Sequence, residues 1–155
     1  MPKNELDDLR LSAWRAFITA HARLIDRIDR ELLAADRLPL NWYDVLVELV
    51  EAPENRLRMH ELAQRVVLSR SGLTRLVDKL EETGLLRREI DSSDRRGAFA
   101  VLTPKGREAL RRSWPVYANG ILTHFGHHLS NEEAKILADV FTRLLAEMQR
   151  SGEIQ

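Results

Sequence analysis

The sequence predicts a mainly α-helical fold that carries one small β-hairpin. Apolar residues recur every three or four positions through most of the chain, which is the period of an amphipathic helix. Near the middle, two short apolar runs flank the polar residues 91–97, as expected of two strands joined by a loop. A chain of 155 residues, 44% of them hydrophobic, is long enough for one core or for two small lobes that share long helices.

The first predicted helix covers residues 11 to about 35. Its apolar positions step by three and four, and two further residues widen the stripe: Leu11, Trp14, Ile18, His21, Ile25, Ile28, Leu32, Phe17 and Leu24. Such a regular seam favours packing against another helix, including the same helix of a second copy of the protein. Pro39 ends the helix because proline lacks the backbone N–H that would continue it.

A second helix follows this proline. Asn41 is predicted to cap it, and Asp44 lies in its first turn, where a carboxylate is favourable. Its inward side consists of Trp42, Val45, Leu46, Leu49 and Val50. Residues 52–55, which include Pro53, are predicted to form a loop.

Two helices separated by a tight turn come next. The third helix covers about residues 60–66 and the turn residues 67–69, with Ser69 as a suitable N-cap for the fourth helix. The fourth helix has a predicted buried face at positions i, i+3, i+4 and i+7, formed by Leu73, Leu76, Val77 and Leu80. Gly84 supplies the left-handed residue that ends it. Because the second helix of the pair is longer and basic, the two form a helix-turn-helix.

The hairpin and two more helices complete the chain. Residues 85–90 and 98–103 are predicted strands, which form a wing behind the helix-turn-helix. Thr103 and Pro104 open a fifth helix, which Pro115 is expected to kink or interrupt. Residues 130–133 have the pattern of a capping box at the start of the last helix. The apolar side of that helix consists of Leu137, Val140, Phe141, Leu144, Leu145 and Met148.

The composition excludes several classes of protein. With no cysteine, the chain has no disulfide, no thiolate zinc site and no cysteine redox switch. No apolar run reaches the roughly 20 residues of a membrane span, and the acidic N-terminus is unlike a signal peptide, so we expect a cytoplasmic protein. His60 and Glu61 begin a metalloprotease-like motif, but Gln64 stands where its second histidine is required. Without a glycine-rich phosphate loop or a nucleophile elbow, neither an enzyme nor a cofactor is expected.

The net charge of zero hides an uneven distribution. Residues 1–55 carry 7 Lys and Arg against 11 Asp and Glu, residues 56–112 carry 14 against 8, and residues 113–155 carry 3 against 5. The net charges are therefore −4, +6 and −2. The positive charge is concentrated in the helix-turn-helix and the wing, and such segregation favours a polyanion as the partner.

The outward residues of the fourth helix and the wing have the chemistry of DNA recognition. Arginine pairs with guanine edges, and hydroxyl groups adapt to several bases. The candidates on the helix are Ser69, Arg70, Ser71, Thr74, Arg75 and Lys79. At the tip of the wing, Arg95 and Arg96 are suited to a minor groove or to phosphates, with Asp94 as an orienting carboxylate. We therefore predict that the helix lies in a major groove of double-stranded DNA and the wing in the neighbouring minor groove.

Two motifs carry a family resemblance. Residues 60–88 read HELAQRVVLSRSGLTRLVDKLEETGLLRR, and residues 91–106 read DSSDRRGAFAVLTPKG. They resemble the MarR (multiple antibiotic resistance regulator) family of winged helix-turn-helix repressors, and the wing pattern D-x-x-D-R-R…V-x-L-T-x-x-G is the most specific part. The resemblance implies a mainly α fold in which residues 39–104 bind DNA, while residues 1–38 and 105–155 supply long N- and C-terminal dimerisation helices. It also implies a homodimeric repressor on a palindromic operator, released by a small aromatic or phenolic ligand.

The same resemblance implies a ligand cleft lined by residues of several helices, which we expect to be Trp14, Phe17, His21, Trp42, Tyr43, Trp114 and Tyr117. Aromatic residues in this number favour a flat apolar ligand with one polar or anionic handle. An alternative is a zinc-responsive regulator of the same fold, because His124, His127 and His128 have helical spacing. An alternative of another class is a helical interaction module without DNA binding, which leaves the arginine-tipped wing unexplained.

Overall fold

A computed structural model describes residues 9–66, 70–94 and 97–152. Its helices are α1 (Leu9–Ala34), α2 (Leu40–Glu51), α3 (Met59–Arg65), α4 (Arg70–Glu82), α5 (Pro104–His124) and α6 (Asn131–Gly152). Its strands are β1 (Arg56–Arg58), β2 (Leu86–Ile90) and β3 (Ala98–Leu102), with short 3₁₀ turns at Pro53–Asn55 and Gly126–His128. The predicted mainly α fold with a small wing is confirmed. None of the described helices is both long and apolar enough to cross a membrane.

The hydrophobic core lies in the first of two compact units, Met1–Ala118 and Asn119–Gln155. In that unit the apolar faces of α2, α3 and α4 pack together with the sheet and the end of α1. The most completely buried apolar side chains are Leu32, Val45, Leu46, Leu49, Leu62, Leu73, Val77, Leu80 and Leu86. Burial of one such side chain contributes about 1.5–3 kcal/mol, so the three core residues of α4 fix which face that helix turns outward.

The sheet has three strands in the order β1-β3-β2, and both pairs are antiparallel. The sequence predicted β2 and β3 but not β1, which pairs Leu57 with Ala100. A strand of three residues with a single buried side chain offers no alternating pattern to detect. The extra strand brings Arg56 and Arg58 onto the sheet beside the wing.

The predicted cap of α2 is wrong. The helix begins at Leu40, and Pro39 rather than Asn41 occupies the N-cap position, without a side-chain hydrogen bond of its own. The backbone N–H of Leu40 instead donates to Asp29 Oδ1 of α1 at 2.7 Å. A cap supplied by another helix leaves no local sequence signature.

The predicted end of α4 and the predicted start of α6 agree with the structure. Gly84 has the expected left-handed conformation, with φ of +74°. At the start of α6, the backbone N–H of Ser130 donates to Glu133, and the N–H of Glu133 donates to the Ser130 hydroxyl at 3.2 Å, which confirms the capping box. Pro115 lies within α5 and does not interrupt it.

The start of α5 packs directly on the start of β2. The Thr103 hydroxyl donates to the carbonyl oxygens of Gly84 and Leu85 and accepts the N–H of Gly106 at 3.0 Å. A Cβ atom placed on Gly106 would lie 2.0 Å from the carbonyl oxygen of Leu85. Only glycine allows the two backbones to approach this closely, and the approach sets the path from α4 through the wing into α5.

Two long helices expose apolar side chains. In α1 the buried residues are Ile28 and Leu32, while Trp14 is 58% exposed. In the described part of α6 no residue is buried, and Leu145 is 61% exposed. Stripes of large apolar side chains seldom remain in water, so each face is a candidate interface.

Candidate nucleic-acid interface

Helix α4 presents a polar face to solvent because its apolar face is held in the core. Leu73, Leu76, Val77 and Leu80 are buried, as the sequence predicted, and Thr74, Arg75 and Lys79 are exposed. Arg70 begins the helix, although the side chains of Arg70 and Ser71 are not described, and Ser69 lies outside the described residues. The described candidates on this helix therefore lie where a base edge or a phosphate could reach them.

Arg88 of β2 ties α4 to the wing. Its Nη2 donates to Asp78 Oδ1 at 2.6 Å, and its Nη1 donates to Glu81 Oε2 at 2.8 Å. Its backbone N–H also donates to Glu81 Oε1 at 3.1 Å. Although burial opposes the charge, the hydrogen bonds and charges of Asp78 and then Glu81 raise the pKa of Arg88 above its ordinary value. These contacts fix the angle between α4 and the wing, a role that the sequence did not reveal.

Asp91 closes the wing loop from inside. Its backbone N–H donates to the Gly97 carbonyl at 3.1 Å, and its Oδ1 accepts the N–H and the hydroxyl of Ser93 at 2.9 and 2.6 Å. Asp94 takes part through its backbone, donating to the Asp91 carbonyl at 3.2 Å and accepting from Gly97 at 2.9 Å, while its side chain is exposed. Arg95 and Arg96 lie outside the described residues, so the predicted orienting role of Asp94 stays a prediction.

Arg58 of β1 anchors this loop to the sheet. Its Nη2 lies 3.0 Å from Asp91 Oδ2, an ion pair without hydrogen-bond alignment, and donates to the Ser93 hydroxyl at 3.3 Å. The guanidinium groups of Arg56 and Arg58 lie over the ring of Phe99, 4.7 and 5.5 Å from its centre. Asp91 and Arg58 therefore hold the base of the wing, and neither was among the predicted site residues.

A cavity of about 330 Å³ lies among α3, α4 and the wing, which places the helix and the wing on one surface. Thr74 of α4 and Asp94 of the loop both line it, together with Arg58 and Asp91. The two predicted DNA-binding elements are thus neighbours whose relative position is set by the contacts of Arg88, Arg58 and Asp91.

The seven predicted ligand residues fall into three groups. The rings of Tyr43 and Tyr117 meet edge to face at 4.9 Å, and Trp114 lies 6.2 Å from Tyr117. On α1, the rings of Trp14, Phe17 and His21 follow one another at 6.0 and 6.2 Å. Trp42 lines a cavity on another side of α2.

Tyr43 and Trp114 of the first group border a cavity between α2 and α5. The cavity measures about 270 Å³ and is lined by Tyr43, Val47, Val50, Arg107, Leu110, Arg111 and Trp114. Burial, more than any neighbouring charge, raises the pKa of Tyr43 and of Tyr117, so both phenols keep their protons at neutral pH. The cavity therefore offers apolar and aromatic walls, phenol donors nearby and arginine side chains.

The histidines do not have the predicted helical spacing. His124 ends α5, whereas His127 and His128 belong to the separate 3₁₀ turn Gly126–His128. No group of three or more His, Cys, Asp or Glu side chains suited to a metal ion occurs among the described residues. The predicted helical spacing of the three histidines, on which the zinc alternative depended, is therefore wrong.

Comparisons with known proteins agree with this geometry. A sequence model of the MarR family matches residues 38–97, which contain the helix-turn-helix and most of the wing. The structure of AbsC, a MarR family transcriptional regulator from Streptomyces coelicolor, shares 32% sequence identity at a TM-score of 0.83, over 93% of this chain and 97% of that chain. The structure of Sco3205, a MarR family transcriptional regulator from the same organism in complex with DNA, shares 40% identity at a TM-score of 0.80, over 87% and 84%. The transcriptional repressor MprA of Escherichia coli K12 is 28% identical over 127 residues, 80% of this chain and 72% of that protein.

These similarities extend well beyond the helix-turn-helix. Two structures at 32% and 40% identity match 93% and 87% of this chain, which is far more than residues 38–97. The exposed polar face of α4, the neighbouring wing and the net charge of +6 in residues 56–112 are the features that such a regulator needs. The chain belongs to the MarR family of winged helix-turn-helix transcriptional regulators.

Proposed function

We propose that the protein is a homodimeric repressor of transcription that binds a palindromic operator and is released by a small aromatic or phenolic ligand. One observation supports the DNA-binding part of this proposal most directly. The exposed face of α4 and the wing form one surface, held together by Arg88 and by the Arg58–Asp91 pair. A helix in a major groove and a wing in the adjacent minor groove require such a fixed arrangement.

Two relatives support this proposal. Sco3205 was solved in complex with DNA and is 40% identical to this chain, which supports DNA as the partner of this chain. The name of MprA describes a transcriptional repressor, which favours repression over activation for this chain. A repressor in this sense acts by occupying DNA, and the proposed cytoplasmic localisation follows from that role.

The homodimer is proposed from the exposed apolar faces of α1 and α6. The sequence seam of α1 includes Trp14 and Ile18, which are 58% and 42% exposed. In α6, Leu144 and Met148 are 48% and 66% exposed. In this arrangement residues 1–38 and 105–155 form the dimerisation region and residues 39–104 the DNA-binding domain. A two-fold dimer then presents two copies of α4 to a palindromic site.

The effector is proposed to enter the cavity between α2 and α5. Tyr43 and Trp114 supply flat apolar walls, and Arg107 and Arg111 lie at the same cavity, so a planar ligand with one polar or anionic group fits its chemistry. Arg111 is engaged by Glu108, to which it donates at 2.8 and 2.7 Å. Arg107 donates to Asn55 Oδ1 at 2.7 Å, which joins α5 to the loop before β1.

A salt series on two duplexes tests the DNA-binding assignment. Arg75→Ala should weaken binding to the cognate operator by about 1–3 kcal/mol and relax specificity at one position per half-site, because a guanine contact is lost. Arg96→Ala should weaken binding to cognate and random duplexes by similar factors and reduce the salt dependence, because a phosphate contact is lost. Arg150→Ala, which removes an exposed arginine of α6, is the matched control and should change neither.

Two outcomes would contradict this assignment. If Arg96→Ala abolished discrimination between the duplexes while Arg75→Ala preserved it, the wing and not α4 would recognise the sequence. If the wild-type protein bound no duplex at low salt, the helical interaction module would be the better description.

A further inference from the structure

We propose that Arg107 of α5, acting through Asn55, is a positioning residue that holds the wing in place for DNA binding. The guanidinium Nη2 of Arg107 donates to Asn55 Oδ1 at 2.7 Å, across 52 positions of the chain. Asn55 directly precedes β1, and β1 carries Arg58, which contacts the wing loop. The proposal rests on the proposed DNA-binding function and adds to it a residue that lies on neither α4 nor the wing.

The turn that precedes β1 has a strained backbone. Glu54 and Asn55 have φ of +57° and +55°, in the left-handed region that residues with a Cβ atom rarely adopt. Two successive residues stay in this region only where surrounding contacts hold them there. The backbone N–H of Asn55 donates to the Ala52 carbonyl at 3.0 Å, and Arg107 binds the Asn55 side chain. The turn is therefore held from the end of α2 and from α5.

Strand β1 is too short to fix its own position. It pairs with β3 over three residues, and Leu57 is its one buried side chain. Its far end is held at the start of α3, where the backbone N–H of Arg58 donates to Glu61 Oε2 at 2.9 Å. Its near end continues directly from Asn55. Loss of the contact between Arg107 and Asn55 would therefore loosen one of the two ends of β1.

A series of side-chain contacts leads from β1 to the wing. Nη1 of Arg56, the first residue of β1, lies 3.8 Å from Glu89 Oε2 of β2. The guanidinium groups of Arg56 and Arg58 both lie over the ring of Phe99 in β3. Arg58 also pairs with Asp91, the carboxylate that closes the wing loop. A shift of β1 would therefore reach both other strands and the loop through direct contacts.

Arg111 provides a matched control for Arg107. It lies one helical turn later in α5, and both arginines line the α2–α5 cavity. The described hydrogen bonds of Arg111 both go to Glu108 of the same helix, at 2.8 and 2.7 Å. A difference between the two variants therefore isolates the contact with Asn55 from the loss of a positive charge at this cavity.

Amide hydrogen exchange of the full chain without DNA tests the positioning role directly. The amides of Asp91, Asp94 and Gly97 donate the backbone hydrogen bonds that close the wing loop. Arg107→Gln should speed their exchange about threefold to tenfold, the effect of losing one charge-assisted hydrogen bond. The amides of the buried residues of α2 report global unfolding, and their exchange should not change. Arg111→Gln should change neither set of amides.

A double-mutant cycle shows whether the effect passes through Asn55. Glycine adopts the left-handed region freely but has no side-chain acceptor, so Asn55→Gly permits the turn and removes the contact. In the Asn55→Gly background, Arg107→Gln should have no further effect on the wing-loop amides. Asn55→Asp keeps an oxygen for Arg107 and tolerates the same backbone, so it should preserve the exchange rates of the wild type.

DNA binding should follow the same pattern. Arg107→Gln and Asn55→Gly should each weaken binding to cognate and random duplexes about threefold, because the wing is less firmly positioned, and Arg111→Gln should not. Fluorescence anisotropy with labelled duplexes measures these affinities.

The proposal is overturned if Arg107→Gln leaves the exchange of the wing-loop amides unchanged, or if Arg111→Gln accelerates it equally. It is also overturned if the amides of α2 accelerate by the same factor, since Arg107 would then support only global stability. Additive effects of Arg107→Gln and Asn55→Gly would show that Arg107 does not act through Asn55. A wild-type protein that bound no duplex would instead contradict the proposed function, and exchange in the free protein would still decide the role of Arg107.

Discussion

Asp91 holds the wing loop from inside, and Asp94 forms the loop's outer edge. Asp91 is 4% exposed and its carboxylate contacts Ser93 and Arg58, whereas the side chain of Asp94 is exposed. The sequence predicted Asp94 as the orienting carboxylate of the wing because it directly precedes Arg95 and Arg96. The burial of Asp91 depends on β1, which brings Arg58 to the loop from a distant part of the chain. No local sequence pattern indicates that contact.

Replacing Asp91 with asparagine should loosen the wing while keeping the size of the side chain. Asn retains an oxygen that can accept from Ser93, but it loses the charge that pairs with Arg58. We expect affinity for cognate and random duplexes to fall roughly threefold to tenfold, since the wing is then less firmly positioned. Fluorescence anisotropy with labelled duplexes measures this effect, and Asp139→Asn on the exposed side of α6 is the control. An unchanged affinity would show that the ion pair does not position the wing.

Lowering the pH should weaken the contacts of the Asp91 carboxylate with Ser93 and Arg58. The hydroxyl and then the backbone N–H of Ser93 hold the pKa of Asp91 below its ordinary value, and the charge of Arg58 adds to this. Because the folded-state pKa is lowered, the ionised carboxylate stabilises the fold above its ordinary pKa, and this stabilisation is lost as the pH falls through the folded-state pKa. Urea unfolding across an acidic pH series should show a steeper loss for the wild type than for Asp91→Asn. Parallel curves would contradict the expected role.

At the scale of the element, the period of the helices was the most informative sequence signal. The buried face of α4 and the positions of β2 and β3 follow from apolar spacing, because one face of each must enter the core. The features that escaped prediction involve partners from elsewhere in the chain. Asp29 caps α2 across a helix boundary, and Arg88 joins β2 to α4. The histidines differ from these cases, since they lose their helical register because α5 ends locally at His124.

The close contact between α5 and β2 makes Gly106 a sensitive position. In an open helix, replacing glycine with alanine stabilises by up to about 1 kcal/mol. At Gly106, the new Cβ would lie 2.0 Å from the Leu85 carbonyl oxygen, which is backbone and must move. Overpacking of this kind costs about 1–3 kcal/mol or more, so the net effect of Gly106→Ala should be destabilising.

Gly152→Ala is the matched control for this substitution. Apart from its neighbours in the helix, no described atom lies within 4 Å of a Cβ built at Gly152, near the end of α6. Its substitution should be neutral or slightly stabilising, and the difference between the two variants in the free energy of unfolding isolates the contact with Leu85. If Gly106→Ala were as stable as Gly152→Ala in urea, the junction would be able to relax, and the fixed path from the wing into α5 would be wrong.

For the whole molecule, the distribution of charge and of exposed apolar surface matters more than any single site. The sequence alone located the positive region, because charges can be counted without knowing the fold. It grouped the seven aromatic and histidine residues into one cleft, whereas the structure divides them among α1, the α2–α5 cavity and the cavity of Trp42. Which side of a helix faces which cavity depends on packing, and adjacent residues such as Trp42 and Tyr43 point in different directions.

The proposed dimer requires the apolar face of α6 to lie in the interface between the protomers. Leu145 is 61% exposed on its apolar face, and in a dimer that face would be covered by the partner. Placing a charge there should separate the protomers, because an unpaired buried carboxylate costs several kcal/mol. Ala146→Glu puts the same charge on the adjacent residue, which is exposed on the polar side of α6, and so controls for the added charge.

Sedimentation velocity at micromolar concentration should therefore find a dimer for the wild type and for Ala146→Glu, and monomers for Leu145→Glu. In the dimer the two copies of α4 should lie about 34 Å apart, one turn of DNA, so the monomeric variant should lose the high-affinity complex with a full palindrome. Binding of the wild type to a half-site should be weak for the same reason, since only one α4 and one wing are then engaged. A wild-type monomer, or a Leu145→Glu dimer that binds the palindrome as tightly as the wild type, would show that α6 does not hold the protomers together.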